Sequence, residues 1–124
     1  MIGSVGPRML EISLPYVDQW NAWFVQFDND PAQARDLLSW VDEQAEQAGR
    51  EGEAVEKTLC VPFQFGDTRL RHNAENGLSG LDAQLRALDE FQEIGVAHLQ
   101  LILDPITIQT IEEVIGVVRR WQRG

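Results

Sequence analysis

The chain is poor in the residues that crosslink proteins or bind metals. Its 124 residues include one cysteine, Cys60, which excludes an intrachain disulfide and argues against a cysteine-ligated zinc site. Cys60 sits in the apolar run Thr58–Phe63, where a buried, inert thiol is the expected state. The two histidines, His72 and His98, have no partner at ligand or triad spacing, so no metal site is expected. Cations are scarce as well: ten Lys and Arg face twenty Asp and Glu, a formal charge of −10. That balance argues against nucleic acid and anionic membranes as main partners, because counterion release needs clustered positive charge. The one basic cluster, Arg119, Arg120 and Arg123, falls where it would complement the dipole of a last helix. No apolar run approaches the roughly 20 residues of a membrane span. A basic segment leading into a continuous apolar core is missing too, so no signal peptide is read and a cytoplasmic protein is the default.

What is present describes a soluble globular domain. Apolar residues make up 44% and charged residues 24%, and the length suits one domain with a modest core. The chain opens on a glycine-bounded turn, Gly3-Ser4-Val5-Gly6, and Pro7 then starts a short helix. Met9, Leu10, Ile12, Leu14 and Val17 are its expected buried residues, and Pro15 ends or kinks it. Gln19–Phe24 reads as a strand with large aromatics. Asp30-Pro31 is a helix start, an Asp N-cap followed by Pro at the first helical position. Ala34, Leu37, Leu38, Val41, Ala45 and Ala48 recur at helical spacing until Gly49 stops them.

Lys57–Phe63 reads as a second strand. Because proline has no N–H to give a central ladder, it is expected to end near Val61. Residues 64–79 read as an irregular polar loop. Ser79 is the expected N-cap of a helix with Leu81, Leu85, Leu88, Phe91 and Ile94 on one face and Gly95 as its stop. His98–Leu103 is the clearest strand. Thr107 or Thr110 then caps a last helix with Ile111, Val114, Ile115, Val118 and Trp121 as its apolar stripe. Strands alternating with amphipathic helices predict βα units and a parallel sheet, either a small open α/β layer or part of a barrel. A whole (β/α)8 barrel takes roughly 200 residues or more.

Four blocks taken together, IGSVGPRML, LPYVDQWNAW, EQAGREGEAVEKTLCV and GVAHLQLILDPIT, resemble the C-terminal part of luciferase-like monooxygenases. These are flavin- or deazaflavin-dependent oxidoreductases with a TIM-barrel fold. The resemblance spans nearly the whole chain and is weakest over residues 64–80. It implies parallel βα units corresponding to the C-terminal part of a TIM (β/α)8 barrel, incomplete. Residues 1–124 would form a single partial domain, the last three βα units plus the preceding helix. The first half of the barrel would be absent, so this chain alone would be inactive. The implied cofactor of the full-length parent is FMN or the deazaflavin coenzyme F-420, with an unknown small-molecule substrate.

The same resemblance aligns Gly3, Ser4, Val5 and Gly6 with the loop that holds the cofactor phosphate. Small residues let backbone N–H groups approach an anion at a helix start. On residues alone, an ordinary strand-to-helix turn accounts for the same segment. Trp20 and Asn21 belong to an Asp–x–Trp–Asn stretch, Asp18 to Asn21, that the resemblance places at the cofactor site. Asn21 or Trp23 would face the barrel mouth, with core packing the alternative for the tryptophans. Asp104 ends a strand, but Asp-Pro is a common connection and no catalytic role is assigned to it. A second reading of the whole chain is a non-catalytic βα half-barrel that self-associates or pairs with a missing half, because open sheet edges are seldom left bare.

Overall fold

The computed structural model describes residues 1–3, 5–50, 55–65 and 78–124. Within them lie helix α1 (Pro7–Ser13), strand β1 (Gln19–Trp23), a 3-10 turn (Phe24–Gln26), helix α2 (Pro31–Gln47) and strand β2 (Glu56–Gln64). A two-residue strand β3 (Leu78–Ser79), helix α3 (Leu81–Glu93), strand β4 (His98–Asp104) and helix α4 (Ile108–Arg123) follow. Every strand pairing is parallel. β1 runs along one edge of β2 from Glu56 to Cys60, and β4 runs along the other from Thr58 to Gln64. Beyond the end of β1, β3 pairs with Phe63 and Gln64. Ahead of β1, Ile2 forms a parallel bridge to Trp20 through Ile2 N–H to Gln19 C=O and Asn21 N–H to Ile2 C=O. Ile2, β1, β2 and β4 therefore lie side by side in chain order, each followed by a helix.

The element boundaries follow from local chemistry. α1 ends at Ser13, before Pro15, and it buries Leu10 and Leu14 while Met9 and Ile12 stay exposed. Seven residues give it a narrow core face, so the wider expected stripe does not fit. Arg50 reaches back to the end of this helix, donating from one guanidinium nitrogen to the carbonyls of Leu14 and Val17 and lying 3.7 Å from Asp18. β1 stops one residue short of Phe24, which turns into the 3-10 segment. There its carbonyl accepts from the N–H groups of Phe27 and Asn29. Asp30 caps α2 by accepting from Ala32 N–H, and Gly49 ends that helix at φ +83°.

β2 does not end at Val61. It continues through Pro62 to Gln64, with β4 paired along its length. The reason lies in the direction of the main-chain groups. Glu56 N–H donates toward β1 and Phe65 N–H donates toward β4, so alternation sends the N–H positions of Thr58, Cys60 and Pro62 to the β1 edge. At the level of Pro62, β1 has already left the sheet and the Phe24 carbonyl is occupied by the turn. Among the described residues, the missing donor costs no ladder bond.

Ser79 is a strand residue and not the N-cap of α3; Gly80 holds that position at φ +86°. The helix is also rotated from the expected stripe. Gln84, Ala87, Leu88 and Phe91 are buried, and Leu81 is exposed. Gln84 earns its buried place by donating from its amide to the carbonyls of Gln64 and Leu78. Gly95 stops α3 at φ +89° as expected. Thr107, rather than Thr110, caps α4, and the two residues form a reciprocal capping box. α4 buries Thr110 and Val117, with Val114, Val118 and Trp121 half-buried and Ile111 and Ile115 exposed. Trp121 Nε1–H donates to Asp89, tying α4 to α3.

Right-handed crossovers between adjacent parallel strands place the helices on one face of the sheet. Trp20, Ala22, Leu59, Val61 and Phe63 point to that face and join Leu38, Val41, Leu88, Phe91 and Val117 in the core. Lys57 points there as well and pairs with Asp42 of α2. No helix among the described residues is long and apolar enough to cross a membrane.

Candidate functional site

The pleat gives the sheet a second face, on which no described helix packs, and its side chains are of another kind. In register across the strands it carries Asn21 and Trp23 of β1, Thr58, Cys60 and Pro62 of β2, and Gln100 and Ile102 of β4. The first four polar groups form a connected row. Thr58 Oγ1 lies 2.7 Å from Asn21 Oδ1 and 3.2 Å from the Trp20 carbonyl. The Asn21 side chain also bonds the Cys60 thiol, whose Sγ donates to Gln100 Oε1 at 2.7 Å. One chain of hydrogen bonds thus crosses three strands. It holds Asn21 in a fixed orientation, its oxygen accepting from Thr58 and its side chain bonding Cys60, and it ties the Gln100 oxygen to the Cys60 thiol.

Burial pushes the Cys60 thiol above its ordinary pKa, and the Asn21 hydrogen bond opposes that only in part. Cys60 is therefore a neutral structural donor at neutral pH, as its apolar run led one to expect. Trp23, half exposed at the end of β1, and Gln100 and Ile102, half-buried on β4, are the parts of this face that a bound molecule would touch.

The residues singled out by sequence divide between two places. Asn21 is on the helix-free face, in the middle of the row. Trp20, its neighbour, is fully buried on the opposite face within the core. Successive strand residues point to opposite faces, so the two cannot line one pocket, and the packing alternative holds for Trp20. The opening turn lies beside β1: Gly3 directly follows the Ile2 bridge, and a Cβ there would sit 3.4 Å from the Asn21 carbonyl. Val5 is exposed, and Gly6 is the N-cap of α1 with extended backbone and no side-chain cap. Ser4 lies outside the described residues, as does His72. Arg8 lines a cleft of about 570 Å³ between α1 and α2 with Glu11, Gln44 and Gln47. His98 is exposed at the start of β4, and Asp104 closes that strand with its carbonyl accepting from Phe65 N–H. Among the described residues, no group of three or more His, Cys, Asp or Glu side chains is placed to hold a metal.

Sequence reading missed Thr58, Cys60 and Gln100 as partners of Asn21. The available signal was their alternation with Leu59, Val61, Leu99 and Leu101, which marks a polar face on strands otherwise rich in aliphatic residues. Only the register showed that the polar positions coincide.

Solved structures share this fold, two of them as follows. DmoA from Hyphomicrobium sulfonivorans superposes with a TM-score of 0.65 over 99% of this chain, at 13% identity. An F-420-dependent secondary alcohol dehydrogenase, solved in complex with an adduct of F-420 and acetone, superposes with a TM-score of 0.54 over 83% of this chain, at 12% identity. Both are of TIM-barrel type. This chain spans 41% of the length of each. No protein-family model matches the chain, and no curated protein matches it in sequence.

Proposed function

We propose that this chain is the C-terminal part of a luciferase-like oxidoreductase or monooxygenase that uses a flavin or the deazaflavin coenzyme F-420. One observation carries the reading: the four sequence blocks that resemble this family coincide with successive βα units of a fold matched over 99% of the chain by a structure more than twice as long. The F-420 dependence of the second neighbour supports a cofactor of the flavin type. In this reading residues 1–124 are one partial barrel domain, and the helix-free face is part of the barrel's inner wall.

The turn Gly3–Gly6, leading into α1, would hold the cofactor phosphate, with Ser4 adding a hydroxyl donor. Asn21 would act as a positioning residue, held by Thr58 and Cys60, while Trp23 and Gln100 face the cofactor or substrate. Bound there, the cofactor supplies hydride transfer or oxygen chemistry, and the protein supplies binding and orientation. Trp20 contributes packing behind the site. The facing walls must come from elsewhere, so this chain alone is inactive.

Fluorescence titration of the 124-residue chain with FMN and with F-420 tests the reading, and little or no binding is expected. Tight, stoichiometric binding by the chain alone would overturn the claim that it is a part. Reading the coding DNA ahead of Met1 gives a second check: an in-frame segment with the remaining βα units supports the assignment, and unrelated sequence opposes it.

A further inference from the structure

We infer that the Cys60 thiol turns the Gln100 amide so that its N–H2 group faces outward, where it recognises an uncharged carbonyl oxygen of a bound molecule. Gln100 is then the binding residue and Cys60 a positioning residue that acts through it. The inference deepens the reading above and rests on it for one premise, that a ligand meets the helix-free face.

The hydrogen bonds of the row all run one way. Thr58 Oγ1 and Asn21 Oδ1 lie 2.7 Å apart, and only the hydroxyl has a hydrogen to give. The Asn21 nitrogen is left to meet Cys60, and their bond favours the thiolate, so it is donated to sulfur. The thiol keeps its own hydrogen for Gln100, whose oxygen accepts it at 2.7 Å. Turning that amide over would set N–H against S–H. The row therefore ends on Gln100 Nε2, which is not buried and bonds no acceptor among the described residues.

The surroundings select the kind of acceptor. In register, Trp23 stands on one side of Cys60 and Gln100 on the other, and Ile102 follows Gln100 on the same face. Trp23 is 49% exposed and ends β1, and the chain turns aside directly after it. That level therefore opens toward the carboxyl ends of the strands, where barrels hold their ligands, above the levels filled by side chains. The ionisable residues that the register puts on this face are Glu56, His98 and Asp104. No Lys or Arg of the described strands joins them, so a carboxylate or phosphate would lie there without a counter-charge. A carbonyl on an apolar body meets Trp23 and Ile102 with its skeleton and Gln100 with its oxygen. A ring carbonyl of a flavin-type cofactor and a ketone substrate share that chemistry.

The test is nuclear magnetic resonance of the isotope-labelled chain, read at the side-chain amide of Gln100. Two neutral probes separate the sources: lumiflavin, the flavin ring without its ribityl phosphate, and cyclohexanone. Weak, saturable binding of at least one is expected, with the Gln100 amide signals moving. Cyclohexanecarboxylate is expected to bind at least about tenfold more weakly than the neutral probe that binds. Gln100→Glu keeps an oxygen for Cys60 and removes the N–H2 group, and it should weaken binding about tenfold. Cys60→Ala should weaken it about threefold and loosen the Gln100 side chain, and Cys60→Ser, which keeps a donor, should restore both.

Signals moved by lumiflavin alone assign the donor to the cofactor ring, and signals moved by cyclohexanone alone assign it to the substrate. Neither probe moving them would overturn the inference and give the donor to another stretch of protein. Undiminished binding by Gln100→Glu, or tighter binding of the carboxylate, would overturn it too. If a Cys60 variant does not fold, the wild type decides the positioning: a Gln100 side chain as mobile as that of exposed Gln122 would overturn it. Neither probe carries a phosphate to engage the Gly3–Gly6 turn, so these measurements and the flavin titration above fail separately.

Discussion

Thr58 Oγ1 lies 2.7 Å from Asn21 Oδ1, joining two buried side chains on adjacent strands. The hydroxyl is a donor to an amide oxygen that water does not reach. Thr58→Val keeps the shape and removes that donor, and the loss is expected to cost about 1–3 kcal/mol, the usual range for orphaning a buried polar group. Thr58→Ser keeps the donor and should cost less than Thr58→Val. Urea unfolding of the three proteins, compared at constant slope, measures the difference.

Cys60 makes stability sensitive to alkaline pH. Its folded pKa is raised, chiefly by burial, so the neutral thiol is the form that folding favours. The contribution is complete below the ordinary thiol value of 9.0 and is lost as pH rises from there through the folded value. Thermal unfolding between pH 7 and pH 10 should show the wild type losing more stability than Cys60→Ala over that window. The native thiol should also be alkylated by iodoacetamide at pH 8 at least about tenfold more slowly than the urea-unfolded chain.

The two ends of α2 are set by different physics. Asp30 contributes a side-chain cap, and Asp30→Ala is expected to cost about 1 kcal/mol. Gly49 contributes a left-handed backbone at φ +83°, with open space where a Cβ would stand. Gly49→Ala therefore costs backbone strain and not a clash, again about 1 kcal/mol. The residues are far apart in the chain, and the double variant should show the sum of the two losses in chemical denaturation.

Proline at two adjacent positions of β2 should give opposite outcomes. Pro62 has its missing N–H on the edge that β1 has already left, so Pro62→Val should change stability by less than about 1 kcal/mol. The N–H of Val61 faces β4, in the middle of a seven-residue pairing. Val61→Pro removes that bond and is expected to abolish cooperative thermal unfolding, as followed by circular dichroism.

Much of the secondary structure is legible from residues whose effects are local. Asp30-Pro31 and the glycines at 49 and 95 need only their own neighbours to act, and the helix ends fall where they stand. The features that escape sequence reading depend on what lies across a strand or helix. Whether Pro62 ends β2 depends on which edge its nitrogen faces. Whether Gln84 is buried depends on two carbonyls, at Gln64 and Leu78, that await it. At the site, the family resemblance singled out Asn21 through the Asp–x–Trp–Asn stretch, and it put Trp20 on the same footing. The pleat then divides them. The partners Thr58, Cys60 and Gln100 come from three distant stretches and meet only in register.

That division has an evolutionary consequence. Each strand carries two interleaved sets of residues answerable to different selection: one packs against helices, the other meets whatever lies across the sheet. Substitutions at Asn21, Cys60 or Gln100 can alter the polar row without disturbing Trp20, Leu59 or Leu101, and the reverse also holds. A chain built this way can change one face while keeping its architecture, and two proteins can share a fold this closely at 13% identity.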